Sequence, residues 1–384
     1  MSKKLVYVIG SLANKGGGER IITEKMNLLS ARGYQVWVIT CFQFPETMPN
    51  VYTLSDSVKQ IYLQIPSYLQ FRHRQPVRLW YRWKYQRQLS RELEKTVNAI
   101  APDFLIGVSF SLADVVSRVK CKAVKVIESH NNRQFVKGEY MFRRQSFISK
   151  LYNDIWRHCY LRAIDRHADV VVVLTKGDAL QWYRAKRVEV IPNFSLFPVT
   201  RVSDLSSKRI ITAGRLEPQK GFDQLLEIWN IVSRRHPDWQ LDIFGEGSLE
   251  QQLKRQISQL GIANVSLHPF VSDISSEYAD SSVFVLTSIY EGFSLVLLEA
   301  FRHGLPCVSY NCPFGPSDIV DNDVNGYLVE NGDMKAFAQK ICFLIEHPEV
   351  RKTFAAKALE KSKVYDQDAI MKQWTSLFDS LCHK

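Results

Sequence analysis

The stretch Val283 to Val320, VFVLTSIYEGFSLVLLEAFRHGLPCVSYNCPFGPSDIV, constrains the fold of this chain most. Val283 to Leu286 is a short, wholly apolar run of the kind that forms a buried strand. A loop with Glu291, Gly292 and Ser294 follows, then LVLLEAF, apolar all round, then a second strand-like run from Pro306 to Ser309. Strand, helix and strand in this order make a βαβ unit, which requires a parallel sheet. Two carboxylates sit inside it where packing has no use for them. Glu291 stands at the strand-to-helix turn, and Glu299 lies between Leu298 and Ala300. A buried carboxylate needs hydrogen-bond donors. A bound ligand would supply them; so would an ion pair with Arg302 or a capping role, and this stretch alone leaves both open.

The same alternation runs through the rest of the 384 residues, a length that suits two or three domains. In the first half, residues 4–10, Gln35 to Thr40, Phe104 to Val108, Val124 to Ile127, Val170 to Leu174 and Val188 to Ile191 read as about six strands. Glu19 to Ala31 reads as an amphipathic helix. Pro198 to Ser207 is polar and aperiodic, as a linker would be. Strands then resume at Arg209–Ala213, Gln240–Phe244 and Val265–Leu267, with helices at Gly221–Arg235 and Leu249–Leu260. After a turn at Asn325-Gly326 and a short strand Tyr327–Val329, helices run from Met334 to the end. The expected domains are 1–197, 198–364 and a terminal helix, 365–384, that returns to brace the first domain.

No apolar run approaches the roughly 18 residues of a membrane span, and MSKKLVYVIG lacks the apolar length of a signal peptide. Seven cysteines without a CxxC or Cys/His cluster fit reduced thiols. A cytoplasmic protein is expected. The net charge of +11 is uneven: residues 1–190 hold 31 Lys and Arg against 15 Asp and Glu, and the remainder 19 against 24. A basic half suits nucleic acid, an anionic membrane or a phosphate-bearing substrate. From Ser57 to Arg91 there is no acidic residue, and Arg72, Arg74, Arg78, Arg82 and Lys84 alternate with Phe71, Trp80, Tyr81 and Trp83. A second such segment, Lys137 to Arg166, contains Arg143 and Arg144. Basic residues among aromatics fit the headgroup layer of an anionic membrane or a polyphosphate substrate; a solvated basic helix face is the plainer reading.

Between the first strand and helix lies SLANKGGGE, whose glycines let backbone approach a ligand near free helix N–H groups. The dinucleotide GxGxxG spacing is absent, and Thr40-Cys41-Phe42 follows strand two where an acid would stand. A redox Rossmann domain is therefore not expected. His130 follows a strand end, where ligand crevices of open α/β sheets lie.

In the second half Arg215 and Lys220 share one strand-to-helix loop, Gly214-Arg215-Leu216-Glu217-Pro218-Gln219-Lys220-Gly221. Two fixed cations there suit a diphosphate. Phe244-Gly245-Glu246-Gly247 and His268-Pro269-Phe270-Val271 stand at the next strand ends. With the E-x7-E pair Glu291 and Glu299 in EGFSLVLLEA, these loops resemble the retaining glycosyltransferases of family 4, over nearly the whole chain and most strongly over 209–330. The resemblance implies an α/β GT-B fold, two Rossmann-like parallel-sheet domains facing each other across a cleft. It implies Arg215 and Lys220 on the diphosphate of a UDP-sugar, Glu299 on the ribose and Glu291 on the sugar hydroxyls. Phe293, Ser294 and Leu295 would offer backbone N–H groups, Gly17 and Gly18 would face the donor, and His130 would lie near the transferred sugar. Gly245, Phe270 and Gly292 complete the expected donor site.

Thr287 replaces the usual proline before Ser288, Ser294 a common glycine, and Pro269 a frequent glycine near the base. Asn311-Cys312-Pro313-Phe314-Gly315-Pro316 resembles a subgroup that builds bacterial capsular, lipopolysaccharide-type or lipid-linked glycans. The expected partners are a nucleotide sugar, a glycan acceptor of the polyprenyl-diphosphate-linked kind and the inner face of the plasma membrane, without nucleic acid. No cofactor or divalent metal is expected. The rivals are a GT-B sugar-nucleotide epimerase and a non-catalytic basic nucleic-acid-binding protein; the latter leaves Glu291, Glu299, Arg215 and Lys220 unexplained.

Overall fold

A computed structural model describes residues 2–14, 16–74, 77–108, 112–136, 147–196 and 199–382. They form two compact units, one of Met1–Ile191 with Met371–Lys384, the other of Pro192–Ile370. The first unit holds β1 (Lys4–Ile9), β2 (Gln35–Thr40), β3 (Lys59–Tyr62), β4 (Phe104–Val108), β5 (Val124–Ser129), β6 (Val170–Val173) and β7 (Val188–Val190). Their order is β3-β2-β1-β4-β5-β6-β7, and neighbours pair in parallel. The second unit holds β8 (Arg209–Ala213), β9 (Gln240–Phe244), β10 (Val265–His268), β11 (Val283–Leu286), β12 (Cys307–Tyr310) and β13 (Gly326–Val329), in the parallel order β10-β9-β8-β11-β12-β13. Each unit is Rossmann-like: its first strand lies between its second and its fourth, so the order reverses there and opens a crevice beyond the strand carboxyl ends.

Parallel strands need cover on both faces, which is why runs such as Val170–Val173 are apolar throughout. The helix Val77–Ile100 supplies cover with Tyr85, Leu89, Leu93 and Val97, buried at every fourth position on one stripe. The helix Phe222–Arg235 does the same in the second unit with Leu225, Trp229 and Val232. Seven strands stand in the first unit where about six were expected. The extra one, β3, is the edge strand KQIY, and its half-exposed polar pattern hides it inside the acid-free stretch.

The chain leaves the first unit at Ile191 and returns to it at Met371, against expected limits at 197/198 and 364/365. Ser195 N–H donates to the Tyr365 carbonyl at 3.4 Å, so the exit segment is already tied within the second unit. On the terminal helix Gln367–Cys382, the Phe378 ring packs 4.8 Å from that of Phe104 on β4, and Asp379 pairs with Lys3 at 2.6 Å. Among the described residues no helix is long and apolar enough to cross a membrane.

Candidate active site

The site of the second unit is built from loops at the carboxyl ends of β8, β9 and β11. Gly214 N–H donates to the Phe244 carbonyl and Leu216 N–H to that of Glu246, each at 2.9 Å, which joins the first two loops. Gly245 makes this approach possible, since a Cβ there would fall 1.9 Å from the Gly214 oxygen. The β8 and β11 loops are laced as closely. Ile289 N–H donates to the Gln219 carbonyl at 2.8 Å, and Gln219 Nε2 to that of Tyr290 at 3.0 Å. Thr287 Oγ1 donates to the Lys220 carbonyl at 3.1 Å, a bond that a proline could not make. Gly221, at φ +63°, ends the Lys220 turn in the left-handed region and begins the next helix; a Cβ would lie 2.3 Å from the Thr287 oxygen.

This lacing brings together two residues that were expected to hold different parts of a ligand. Lys220 Nζ lies 2.7 Å from Glu291 Oε1, with side chains 13% and 7% exposed. Ser288 Oγ donates to the same carboxylate oxygen at 2.6 Å. Arg215, on the same loop as Lys220, is exposed and makes no ion pair among the described residues. The turn after Glu291 runs through Gly292 and buried Phe293 and Ser294 into the helix Leu295–Arg302. The Leu295 amide already donates to the Phe293 carbonyl at 3.1 Å, whereas Ser294 Oγ is buried without a hydrogen-bond partner among the described residues. Gly315 closes over this turn: a Cβ there would stand 3.2 Å from Glu291 Cβ. The Asn311–Pro316 segment therefore roofs the site.

Glu299 is buried on that helix, and the Tyr278 hydroxyl donates to it at 3.5 Å. Burial, and then the charge of Glu299, push the Tyr278 phenol well above its usual range, so it remains a donor. Phe270 lies half-exposed beyond β10, next to a strand end where His268 stacks on Phe244 with ring centroids 4.4 Å apart and its Nε2 lies 2.7 Å from Asp242.

In the first unit Gly17 and Gly18 open the helix Gly17–Ala31, and His130 stands buried just past β5. Two residues here escaped sequence reasoning. Lys25 of that helix donates to Glu128, the fifth residue of β5, and both are buried. Spacing held the signal, because Lys25 lies four positions after Ile21 and four before Leu29, on the helix's buried stripe. Phe71, Trp80 and Trp83 are exposed in the segment that carries Arg72, Arg74, Arg78, Arg82 and Lys84. Arg78 lies over Phe71 at 4.4 Å and Lys84 over Trp80 at 5.4 Å. Arg143 and Arg144 lie outside the described residues. Among those described, no cluster of three His, Cys, Asp or Glu is arranged to hold a metal ion.

Residues 15–194 match the family described as Glycosyltransferase Family 4, and residues 199–361 the one described as Glycosyl transferases group 1. An uncharacterized glycosyltransferase of Haemophilus influenzae is 27% identical over 98% of this chain and 99% of its own length. The GalNAc-alpha-(1->4)-GalNAc-alpha-(1->3)-diNAcBac-PP-undecaprenol alpha-1,4-N-acetyl-D-galactosaminyltransferase of Campylobacter jejuni is 24% identical over 97% of this chain and 98% of its own. A point-substituted form of TarM from S. aureus, solved with Fondaparinux, alpha-GlcNAc-glycerol and UDP, superposes with a TM-score of 0.76 at 16% identity, covering 98% of this chain and 99% of that one. One glycosyltransferase match spans most of the first unit's sheet and the other most of the second unit, and the superposition gives the chain the two-sheet GT-B fold.

Proposed function

We propose that this glycosyltransferase moves a hexose or N-acetylhexosamine from a UDP-sugar to a hydroxyl of a growing bacterial surface or lipid-linked glycan, with retention of anomeric configuration. The observation that carries the reading is the Lys220–Glu291 pair, 2.7 Å apart at the turn into helix Leu295–Arg302, with exposed Arg215 on the same loop. The reaction breaks the bond between the sugar's anomeric carbon and the diphosphate oxygen, so negative charge grows on the departing nucleoside diphosphate. Cations and helix N–H groups fixed in advance lower that barrier most. Arg215 grips the diphosphate by its planar fork, and Lys220 exchanges Glu291 for a phosphate oxygen. Glu291, released, accepts from sugar hydroxyls; Glu299 accepts from the ribose. No divalent metal takes part.

The donor assignment is supported by the UDP in the TarM complex. Retention and a lipid-linked acceptor are supported by the alpha linkages and the PP-undecaprenol in the Campylobacter enzyme's name. The exposed rings of Phe71, Trp80 and Trp83 among Arg72, Arg74, Arg78, Arg82 and Lys84 suit an anionic membrane surface, where such an acceptor would lie.

The test is a screen of UDP-sugars in EDTA, following UDP release with and without acceptor and reading the product's anomeric configuration by NMR. Acceptor-dependent release with retention is the expected result. Conversion of the donor alone would mean an epimerase. Sedimentation with phosphatidylglycerol vesicles but not phosphatidylcholine vesicles, lost in Trp80→Ser with Trp83→Ser, tests the membrane surface.

A further inference from the structure

A second cluster of charges lies sealed in the first unit, and the reaction as described makes no use of it. Lys25, on the helix Gly17–Ala31, and Glu128, near the end of β5, have side chains only 3% exposed. Lys25 Nζ donates to Glu128 Oε2, and the same oxygen lies 3.2 Å from His130 Nε2. The Trp374 indole of the terminal helix covers the ammonium at 4.2 Å, and the Tyr7 ring of β1 lies 6.0 Å from it.

Packing does not explain the pair. Taking two charges out of water costs more than their attraction reliably returns, and apolar residues of similar volume would hold the helix on the sheet as well. Apolar residues could not, however, accept a hydrogen bond from an imidazole. A neutral histidine beside an ionised carboxylate carries its proton on the nitrogen that faces the carboxylate, and the partner of one nitrogen thereby decides the role of the other. Lys25 keeps the carboxylate in that state, since an unpaired carboxyl at this depth would take up a proton. A protonated Glu128 could serve either imidazole tautomer and would select neither.

The geometry points to Glu128, held ionised by Lys25, as a positioning residue that fixes His130 in the Nε2–H tautomer with its lone pair on Nδ1. The inference rests on the proposed glycosyl transfer and on the part in it that the family resemblance implies for His130. The Trp374 indole excludes water from the pair, so the terminal helix contributes to the site of the first unit without touching substrate.

The test reads the imidazole nitrogens of the full-length protein by 15N NMR, with His130 assigned by the signal missing in His130→Gln. The wild type is expected to show the Nε2–H form. Glu128→Gln offers both an amide oxygen and an amide N–H, so the preference is lost and Nδ1–H becomes populated. In the same variant kcat falls about ten- to a hundredfold while the donor KM stays within about twofold, by analogy with the loss seen when a group orienting a metal-bound histidine is removed. An Nδ1–H wild type, an unchanged His130 signal in Glu128→Gln, or an unchanged kcat would each overturn the proposal. Should Glu128→Gln not fold, the double variant Lys25→Met with Glu128→Gln, which removes both charges and keeps the volume, takes the same reading. The spectrum needs no substrate. If no donor is turned over, the proposed function fails, and the tautomer alone decides whether Glu128 orients His130.

Discussion

Among the described residues, each unit has a lysine–glutamate pair largely shielded from solvent near the carboxyl end of its sheet, and the two differ in access. The Lys220–Glu291 side chains are 13% and 7% exposed and belong to strand-end loops; those of Lys25 and Glu128 are 3% exposed and join a helix to a strand. A pair at a loop mouth can exchange one partner for an incoming anion, because the desolvation is already met and the ligand replaces a charge with a charge. A sealed pair cannot exchange. Its ions hold each other and whatever else touches them, here His130. The same residue types at like places in two similar sheets therefore suit different tasks, ligand capture in one and orientation in the other.

Five substitutions would break or sharpen this contrast. Lys25→Met strands Glu128 in the core, and removing one partner of a buried pair costs about 3–5 kcal/mol; urea denaturation followed by circular dichroism reads it. The same substitution at Lys220 should cost clearly less, and equal losses would erase the distinction between the pairs. Lys220→Ala should leave a folded protein whose UDP release is about a hundred- to a thousandfold slower, the usual loss for a group that stabilises departing charge. Near-wild-type rates would remove Lys220 from the diphosphate.

The acid limb tests the sealed pair by titration. Burial pushes the Glu128 carboxyl up, but Lys25 and His130 outweigh it and hold the group below its usual range. A carboxyl lowered in the folded state contributes stability that is present above its unfolded value, about 4.3 for Glu, and lost as pH falls through the lower folded one. Urea midpoints measured from pH 6 downward should show this limb in the wild type and lack it in Glu128→Gln. The smallest effect belongs to Thr287→Val, which leaves the Lys220 carbonyl without its hydroxyl donor at a cost of about 0.5–1.5 kcal/mol. Its thermal unfolding midpoint should drop slightly; an unchanged midpoint would mean that this bond does not hold the loop.

Much of the second unit was legible because its signals are local. Strand β11, the turn at Glu291 and the helix carrying Glu299 lie within twenty residues, and short apolar runs identify buried parallel strands directly. The first unit was harder to read. Strand β3 hides in a polar edge sequence, and β5 runs two residues beyond its apolar core, pairing Glu128 and Ser129 with β6 while the Glu128 side chain meets Lys25. The pairing of Lys220 with Glu291 also escaped, since each had been given its own part of the ligand. It depends on how closely the β8 and β11 loops approach, which Gly221 and Thr287 permit.

The amino-acid sequence by itself determined two parallel α/β halves, most of their strands and a set of charged residues at strand ends. Hydrophobic period and glycine position act over a few residues and can be read there. Only the tertiary structure decided which charges meet. Lys25 and Glu128 are 103 positions apart and Lys220 and Glu291 are 71, and no local preference pairs residues at such distances. Register and helix packing bring them together, and burial then seals one pair while the other stays at a loop mouth.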